Sequence, residues 1–454
     1  MDIYKNKFIN AYQYVIAHKL FPFAIAMLVY VIWLAGIEKI GIGILLFLAG
    51  LLLATSKDTR NPLVILLLFT YCLRTTTSIE GNVWMSAYVL LLVAGIIIHF
   101  VRFKPKLRPS KLTPALLFVL LSFILGGSTI RGFSSINFWA ILLVSLFIGL
   151  IYFFFNSTID LKGTAFAEYL CSFLLVLGFL MTIQTFSYYI MTDDALLAMR
   201  AKSIHLGWGC SNNIGSILCF TIPACAYYAT KGGFKCLLAI IFTALQTIAL
   251  ILTFSRGAIL SVVCIYPVLI IYGIIKSENK RQLALSVSSV LAVLLILALI
   301  FSRDIYYALE NMISKGLNDN GRFSIYAEAW EVFKQYPVFG AGFDYKLNFS
   351  HDLIYWFHDT YLEALGKLGA VGFIAICLFN VRRYITAVKV WKYPVVAFLC
   401  FSIIAFECYS LADTSFFHPI QFIFLLMLNI AFERIIEDDE VNNIPVPELL
   451  PMQL

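Results

Sequence analysis

The chain has 454 residues, of which 61% are hydrophobic and 13% are charged, and its formal net charge at pH 7 is +7. One soluble core could not bury that much apolar surface, so this composition excludes a soluble globular protein and makes lipid the solvent for much of the chain. The apolar stretches are continuous and do not alternate, which favours helices over a strand barrel. The sequence therefore predicts an all-α membrane protein.

Apolar runs of membrane-spanning length recur from Phe21 to Ile435. A helix needs about 20 apolar residues to cross a hydrocarbon core of roughly 30 Å. The third and fifth runs are short enough to be re-entrant or interfacial, so we expect a polytopic helical bundle of about 12–14 spans. The candidate spans are residues 20–36, 39–54, 61–74, 83–101, 113–127, 138–155, 166–191, 212–229, 234–254, 257–275, 282–302, 364–381, 393–412 and 416–434.

The lysines and arginines concentrate in alternate connections, and this pattern predicts the orientation. We expect these connections, and both termini, on the cytoplasmic side. The first apolar run lacks a small-residue cleavage site, so we interpret it as a retained span. The net charge then reflects topology, and we expect no nucleic-acid partner. The basic connections are residues 56–61, 101–111, 230–235, 276–281 and 381–392.

Two predicted outward connections are long, residues 192–210 and 302–357. Long polar segments on a lipid-buried scaffold tend to carry binding and chemistry. We therefore divide the chain into N-terminal transmembrane helices (1–191), a catalytic region that contains the outer loop 302–357 (192–381), and C-terminal transmembrane helices with a short cytoplasmic tail (382–454). Any reaction should occur at the outer membrane surface.

The outer loop is predicted to contain an amphipathic helix. After a turn at residues 318–321, apolar residues recur at three- and four-residue spacing until Pro337. We expect the helix to lie flat on the outer leaflet or over a cavity mouth. Arg322 at its N-terminus either is solvated beside the turn or forms a phosphate site with the free amides of the first turn. The apolar residues are Phe323, Tyr326, Ala327, Trp330 and Phe333.

His358 is the candidate proton acceptor. Thr360 followed by Glu363 has the form of a capping box, which predicts a helix that begins at about Tyr361 and runs on into the membrane. The positive end of that helix disfavours imidazolium, so a neutral His358 would be available as a general base near pH 7. The alternative is a hydrogen-bonding anchor at the membrane boundary. Glu363 is assigned mainly to capping.

A polar tripeptide, Ser255, Arg256 and Gly257, interrupts an apolar stretch of residues 234–275. That stretch is about twice the length of one span, so the tripeptide is predicted to form a tight hairpin tip on the outer side. Arg256 either extends to lipid headgroups or takes part in a functional site.

Taken in chain order, these features resemble the O-antigen ligase and polymerase family of bacterial membrane glycosyltransferases. The order is the hairpin Arg256, the Gly321-Arg322 pair, a turn at residues 337–342, and His358 followed by Tyr-Leu-Glu and Gly-Lys-Leu-Gly. The resemblance covers about residues 199–372 and includes an upstream stretch that begins at Arg200. The family often has Asn after the motif histidine. This chain has Asp359 there, which leaves the partner of the imidazole open.

The resemblance implies transfer of a glycan from an undecaprenyl-diphosphate carrier to a hydroxyl of a glycan, lipid or protein acceptor, on the outer face of the bacterial plasma membrane. It implies His358 as the catalytic base, Arg256, Arg322 and Arg200 as diphosphate ligands, inversion at the anomeric carbon, and no metal or other cofactor. Ligase and polymerase both stay open. The alternative is a transporter or flippase of the same lipid-linked glycan, which should carry its charged residues near the bilayer midplane.

Overall fold

The chain is described from a computed structural model. It covers residues 20–74, 84–108, 110–128, 134, 138, 141–207, 209–300, 302–303, 306, 310, 321–347 and 356–442. Most of this part of the chain is helical. Its one sheet consists of two antiparallel strands, β1 (His205–Leu206) and β2 (Gly209–Cys210).

Seventeen α-helices follow one another along the described residues. Two further segments are π-helical: Ile141–Phe147, directly before the helix Ile148–Thr158, and Ala364–Leu368, directly after the helix Thr360–Glu363. The helices are α1 (Phe21–Ala35), α2 (Glu38–Thr55), α3 (Arg60–Leu68), α4 (Met85–Phe103), α5 (Thr113–Ser128), α6 (Ile148–Thr158), α7 (Gly163–Met191), α8 (Ala195–Ala201), α9 (Ser211–Ala229), α10 (Gly233–Leu252), α11 (Arg256–Lys276), α12 (Lys280–Ile300), α13 (Arg322–Gln335), α14 (Thr360–Glu363), α15 (Gly369–Lys389), α16 (Pro394–Ser410) and α17 (Pro419–Asn442).

The all-α polytopic bundle expected from the sequence is confirmed. Within the described residues, seven helical segments are long and apolar enough to cross a membrane, and six shorter helical segments are apolar. Their burial differs widely: 89% of the most apolar stretch of α17 is buried, against 11% for α12. Because an apolar helix without protein neighbours needs lipid around it, α17 lies at the centre of the bundle and α12 at its periphery.

Basic connections gather at one end of the bundle. Arg108 pairs with Glu437 near the end of α17, and Lys392 pairs with Asp439 at 2.9 Å. At the same end Tyr272 of α11 contacts the Trp391 ring, with 6.2 Å between the ring centroids. Helices α10 and α16 begin beside these connections, so their C-terminal ends lie at the opposite end of the bundle. The candidate site lies there.

The amphipathic helix predicted in the outer loop is present as α13, and the face that it buries against the protein is not the apolar stripe of the prediction. The side chains that it buries are Ile325, Ala329 and Val332, which belong to a small cluster of buried residues separate from the core of the bundle. Phe323 and Trp330 of the predicted apolar stripe are 74% and 51% exposed. The helix has two apolar faces, and spacing within the helix does not tell which of them the rest of the loop covers.

Candidate active site

Three of the predicted site residues, Arg256, Arg322 and His358, converge on the short connection that follows α16, residues 411–414. The Arg322 Nη1 atom donates a hydrogen bond of 2.9 Å to the Ala412 carbonyl. A Cβ atom at Gly257 would lie 2.9 Å from the Ala412 Cβ atom, so the start of α11, with Arg256, packs closely on the same connection. The His358 Nδ1 atom lies 3.5 Å from an Asp413 carboxylate oxygen. Three segments that are distant in sequence therefore meet at one place.

Asp413 is the partner of the His358 imidazole. Its other carboxylate oxygen, Oδ2, accepts a hydrogen bond of 2.8 Å from the Tyr409 hydroxyl. The oxygen that faces His358, Oδ1, also accepts a hydrogen bond of 2.8 Å from the Thr414 amide. Burial by itself would raise the pKa of Asp413, but hydrogen bonds and charge from His358, together with the Tyr409 and Thr414 bonds, hold the pKa below its ordinary value. An ionised Asp413 favours the tautomer with a proton on Nδ1, which leaves Nε2 of His358 free to accept a proton.

The helix after His358 is capped differently from the prediction. Asp359 is the N-cap, and its carboxylate accepts hydrogen bonds of 2.8 Å from the amides of Tyr361 and Leu362. Burial raises the pKa of Asp359, and these two bonds oppose the rise. The Thr360 hydroxyl instead donates to the Asp413 carbonyl at 3.2 Å. The capping box assigned to Thr360 and Glu363 was therefore wrong, because an aspartate one position earlier takes the free amides.

The sequence left open whether Asp359, which follows the motif histidine, is the partner of the imidazole. It binds the helix N-terminus, while Asp413 binds the imidazole. The helix dipole was expected to act on His358 directly. With a carboxylate already on the free amides, the charge that His358 meets at closest range is that of Asp413.

The helical segment that begins at this cap, Thr360–Lys389, is long and apolar enough to enter the membrane as the sequence predicts, but it is not straight. Tyr361 and Asn380 are hydrogen-bonded through their side chains at 3.1 Å. A straight helix would hold these two residues about 28 Å apart, farther than their side chains reach. The chain bends at Gly369, whose φ of 65° lies in the left-handed region that glycine tolerates.

Strained backbone marks the site. Four described residues other than glycine have positive φ, and three of them are at the site: His358 itself (φ 54°), Lys202 (φ 53°), and Phe254 two residues before Arg256 (φ 51°). Such a conformation costs about 1–2 kcal/mol for a residue with a Cβ atom, and it persists only where surrounding contacts enforce it. Strain of this kind concentrates at functional sites.

A third cation accompanies the two arginines. Burial lowers the pKa of Lys202, and the positive charges of Arg256 and Arg322 lower it further. This electrostatic effect requires Lys202 to be near each of the two arginines. The Lys202 ammonium also contacts the Asn212 side chain at 3.3 Å. Because the two arginine charges disfavour the ammonium form of Lys202, an anion bound beside Lys202 would relieve this repulsion.

The family assignment follows from a comparison of the chain with known proteins. Residues 239–377 match the family model described as O-antigen ligase. The chain is therefore similar to O-antigen ligases over this segment. No curated protein matches the chain. The resemblance drawn from the motif order is confirmed, and the O-antigen ligase match includes Arg256, Arg322 and His358. Lys202 and Asp413 lie outside the matched segment, on either side of it.

Arg200 also lies outside the O-antigen ligase segment, and its role stays a prediction. It is half-buried at the end of α8, and its Nε atom is buried without a hydrogen-bond partner. Among the residues that the structure describes, no hydrogen bond or ion pair joins Arg200 to the other site residues. The residue near Arg200 that interacts electrostatically with Arg256 and Arg322 is Lys202.

Sequence reasoning missed both Lys202 and Asp413, although a signal existed for each. Lys202 follows Arg200 by two residues in the same upstream stretch. Asp413 is the one acidic residue between Glu407 and Glu433, and it lies in a connection that the span count puts on the same side as the outer loop. Together with His358, these residues bring a proton acceptor with an ionised partner next to a cluster of cations.

Proposed function

We propose that the chain is a membrane glycosyltransferase that moves a glycan from an undecaprenyl-diphosphate carrier to an acceptor hydroxyl on the outer face of the plasma membrane. The observation that carries the proposal is the His358–Asp413 pair beside the cluster of Lys202, Arg256 and Arg322. Such a transfer needs a group that takes a proton from the acceptor and groups that stabilise the charge on a diphosphate leaving group. The match of residues 239–377 to the O-antigen ligase family model supports the same reaction class.

In the proposed reaction, the acceptor oxygen attacks the anomeric carbon while the bond from that carbon to the diphosphate oxygen breaks. The bonding electrons leave with undecaprenyl diphosphate, whose growing negative charge is stabilised by the three cations. The hydroxyl proton passes to Nε2 of His358, and the Asp413 carboxylate stabilises the imidazolium that results. A single direct displacement inverts the configuration of the anomeric carbon.

Two features support the remaining parts of the proposal. The guanidinium fork suits phosphate oxygens, and no group of three or more His, Cys, Asp or Glu side chains in the described part of the chain is arranged to hold a metal ion. We therefore assign the stabilisation of the diphosphate to Lys202, Arg256 and Arg322. The basic connections lie at the opposite end of the bundle from the site, which by the positive-inside rule directs the site outward.

One observation favours the alternative, a transporter of the lipid-linked glycan. Arg383 is fully buried between α15 and α16, where it pairs with Glu407 and donates a hydrogen bond of 3.0 Å to Asn380. Charged residues inside a membrane bundle are often part of a transport pathway. The test of function therefore has to measure transfer and transport separately.

The test uses the purified protein in vesicles, with an undecaprenyl-diphosphate-linked glycan as donor and a hydroxyl acceptor. We expect conjugate and free undecaprenyl diphosphate to form at equal rates, also in the presence of EDTA. His358→Ala should lower the rate by about 10²- to 10⁴-fold while donor binding persists. His205→Ala, at a half-buried histidine outside the His358–Asp413 pair, is the matched control and should keep the rate.

Normal turnover by His358→Ala would overturn the proposed base. Movement of the intact donor across the vesicle membrane, without conjugate, would favour the transporter. Glycan analysis after gene deletion then separates ligase from polymerase. Loss of long chains with single repeats retained indicates a polymerase, and long carrier-linked chains without final conjugate indicate a ligase.

A further inference from the structure

A buried ion pair lies in the helical segment that follows His358 along the chain. Glu363 and Lys367 are one helical turn apart, their charged atoms are separated by 2.8 Å, and their side chains are 0% and 1% exposed. The Lys367 ammonium also lies 4.6 Å from the centroid of the Trp356 ring. Removing two charges from water costs about as much as their attraction returns, so a buried pair of this kind is weak evidence for added stability. Its contacts indicate a different role.

Glu363 holds the backbone next to His358. Its second carboxylate oxygen accepts a hydrogen bond of 2.7 Å from the amide of Phe357, the residue directly before His358. On the other side of His358, the Asp359 side chain binds the first turn of the helix. The strained left-handed backbone of His358 is therefore fixed on both sides, which is the condition under which such a conformation persists.

Lys367 joins this segment to the outer loop. Its carbonyl accepts a hydrogen bond of 3.0 Å from Gly342, and the Gly366 carbonyl accepts one of 2.8 Å from Ala341. These carbonyls are accessible because the helix ends in a π-helical segment at Leu368. A Cβ atom at Gly340 would lie 2.2 Å from the Lys367 carbonyl carbon, so the loop backbone rests directly on the helix end.

We propose that Glu363 and Lys367 are positioning residues for His358. Glu363 fixes the Phe357 amide and with it the direction of the imidazole, while the Lys367 ammonium neutralises Glu363. The main chain of Lys367, which the variants below leave intact, joins this segment to the turn at residues 340–342. Neither residue contacts the substrate in this proposal. The inference rests on the proposed function of His358 as base.

Two double variants separate positioning from charge. Glu363→Gln with Lys367→Met and Glu363→Leu with Lys367→Met both replace the ion pair by uncharged side chains of similar size. Only the first retains an oxygen that can accept the Phe357 amide hydrogen. Both should fold, because a buried ion pair tolerates replacement as a pair.

The Gln–Met variant should keep kcat within about threefold of the wild type, and the Leu–Met variant should lose about tenfold in kcat, the loss expected for one hydrogen bond. The donor KM should change little in either variant, because the cation cluster is untouched. As a control, Glu331→Gln with Lys334→Met removes an ion pair of 2.6 Å in α13 whose side chains are 60% and 52% exposed. This control should leave both kcat and melting temperature unchanged.

Equal kcat for the two double variants would overturn the positioning role, and so would unfolding of either one, since the pair would then serve the fold. His358→Ala belongs in the same assay. If His358→Ala is active, the proposed function fails regardless of the double variants. If it is inactive while the double variants are equal, only the positioning inference fails.

Discussion

Replacing Asp413 with asparagine tests a residue of the proposed active site that was not predicted from the sequence. The amide has the shape of the carboxylate but no charge, and it can turn its NH2 group toward His358 Nδ1. That arrangement would place the imidazole proton on Nε2, where it blocks proton acceptance from the substrate. Asp413→Asn should therefore lower kcat while the protein remains folded.

The size of the loss follows from the geometry. A hydrogen bond to a charged group contributes about 1.5–3 kcal/mol, which is about a 10- to 150-fold change in rate. The two atoms are 3.5 Å apart and the His358 side chain is 31% exposed, so water weakens the electrostatic part. We expect a loss near tenfold, far below the roughly 10⁴-fold loss known for a tightly held catalytic triad.

The assay is single-turnover transfer by purified protein, with the donor KM and the melting temperature measured in parallel. Tyr409→Phe is the matched control, because it removes one hydrogen bond of 2.8 Å from Asp413 and leaves the charge in place. Its loss in kcat should be smaller than that of Asp413→Asn. Wild-type kcat in a folded Asp413→Asn variant would refute the pairing with His358, and so would a raised donor KM at unchanged kcat.

Three further outcomes are expected. Arg322→Lys keeps the charge but loses the planar fork, so kcat/KM should fall more than about tenfold, and a near wild-type value would reduce Arg322 to a simple charge. Burial and the charges of Arg256 and Arg322 lower the pKa of Lys202, so the wild-type donor KM should rise with alkalinity already below pH 10.5, the ordinary lysine value. Lys202→Arg should not show this rise, and identical pH profiles for the wild type and this variant would contradict the role proposed for Lys202. Outside-specific labelling should modify a cysteine placed at Ser314 and spare one at Ser277, and the reverse pattern would invert the proposed orientation.

The parts of the fold that were predictable depend on local patterns. Long apolar runs identify the helices, because the requirement for about 20 apolar residues applies to each span by itself. The start of α13 after the turn at Gly321 also follows from neighbouring residues. The grouping of Arg256, Arg322 and His358 came from the order of motifs, and the contacts at the 411–414 connection are consistent with it.

What the sequence did not reveal depends on contacts between distant segments. The partner of His358 is 55 residues away in sequence, and no spacing rule connects the two. The face that α13 buries depends on where Phe357 packs. The cap was misassigned for a local reason, since both Asp359 and Thr360 are good N-cap residues and only the backbone conformation distinguishes them.

The burial of α17 has a consequence for biosynthesis. This helix packs against α6, α7, α15 and α16, yet it leaves the ribosome after all of them. It follows the end of α7 by roughly 250 residues, a delay of about 12–50 s at ordinary rates of translation. During that time α6 and α7 are inserted without their central neighbour, and Asn156 and Ile159 lack the arginine, Arg434, that their carbonyls bind in the finished bundle. Chains released before α17 is made would thus be inserted in the membrane with the centre of the bundle unfilled. We expect such chains to be substrates for membrane proteases.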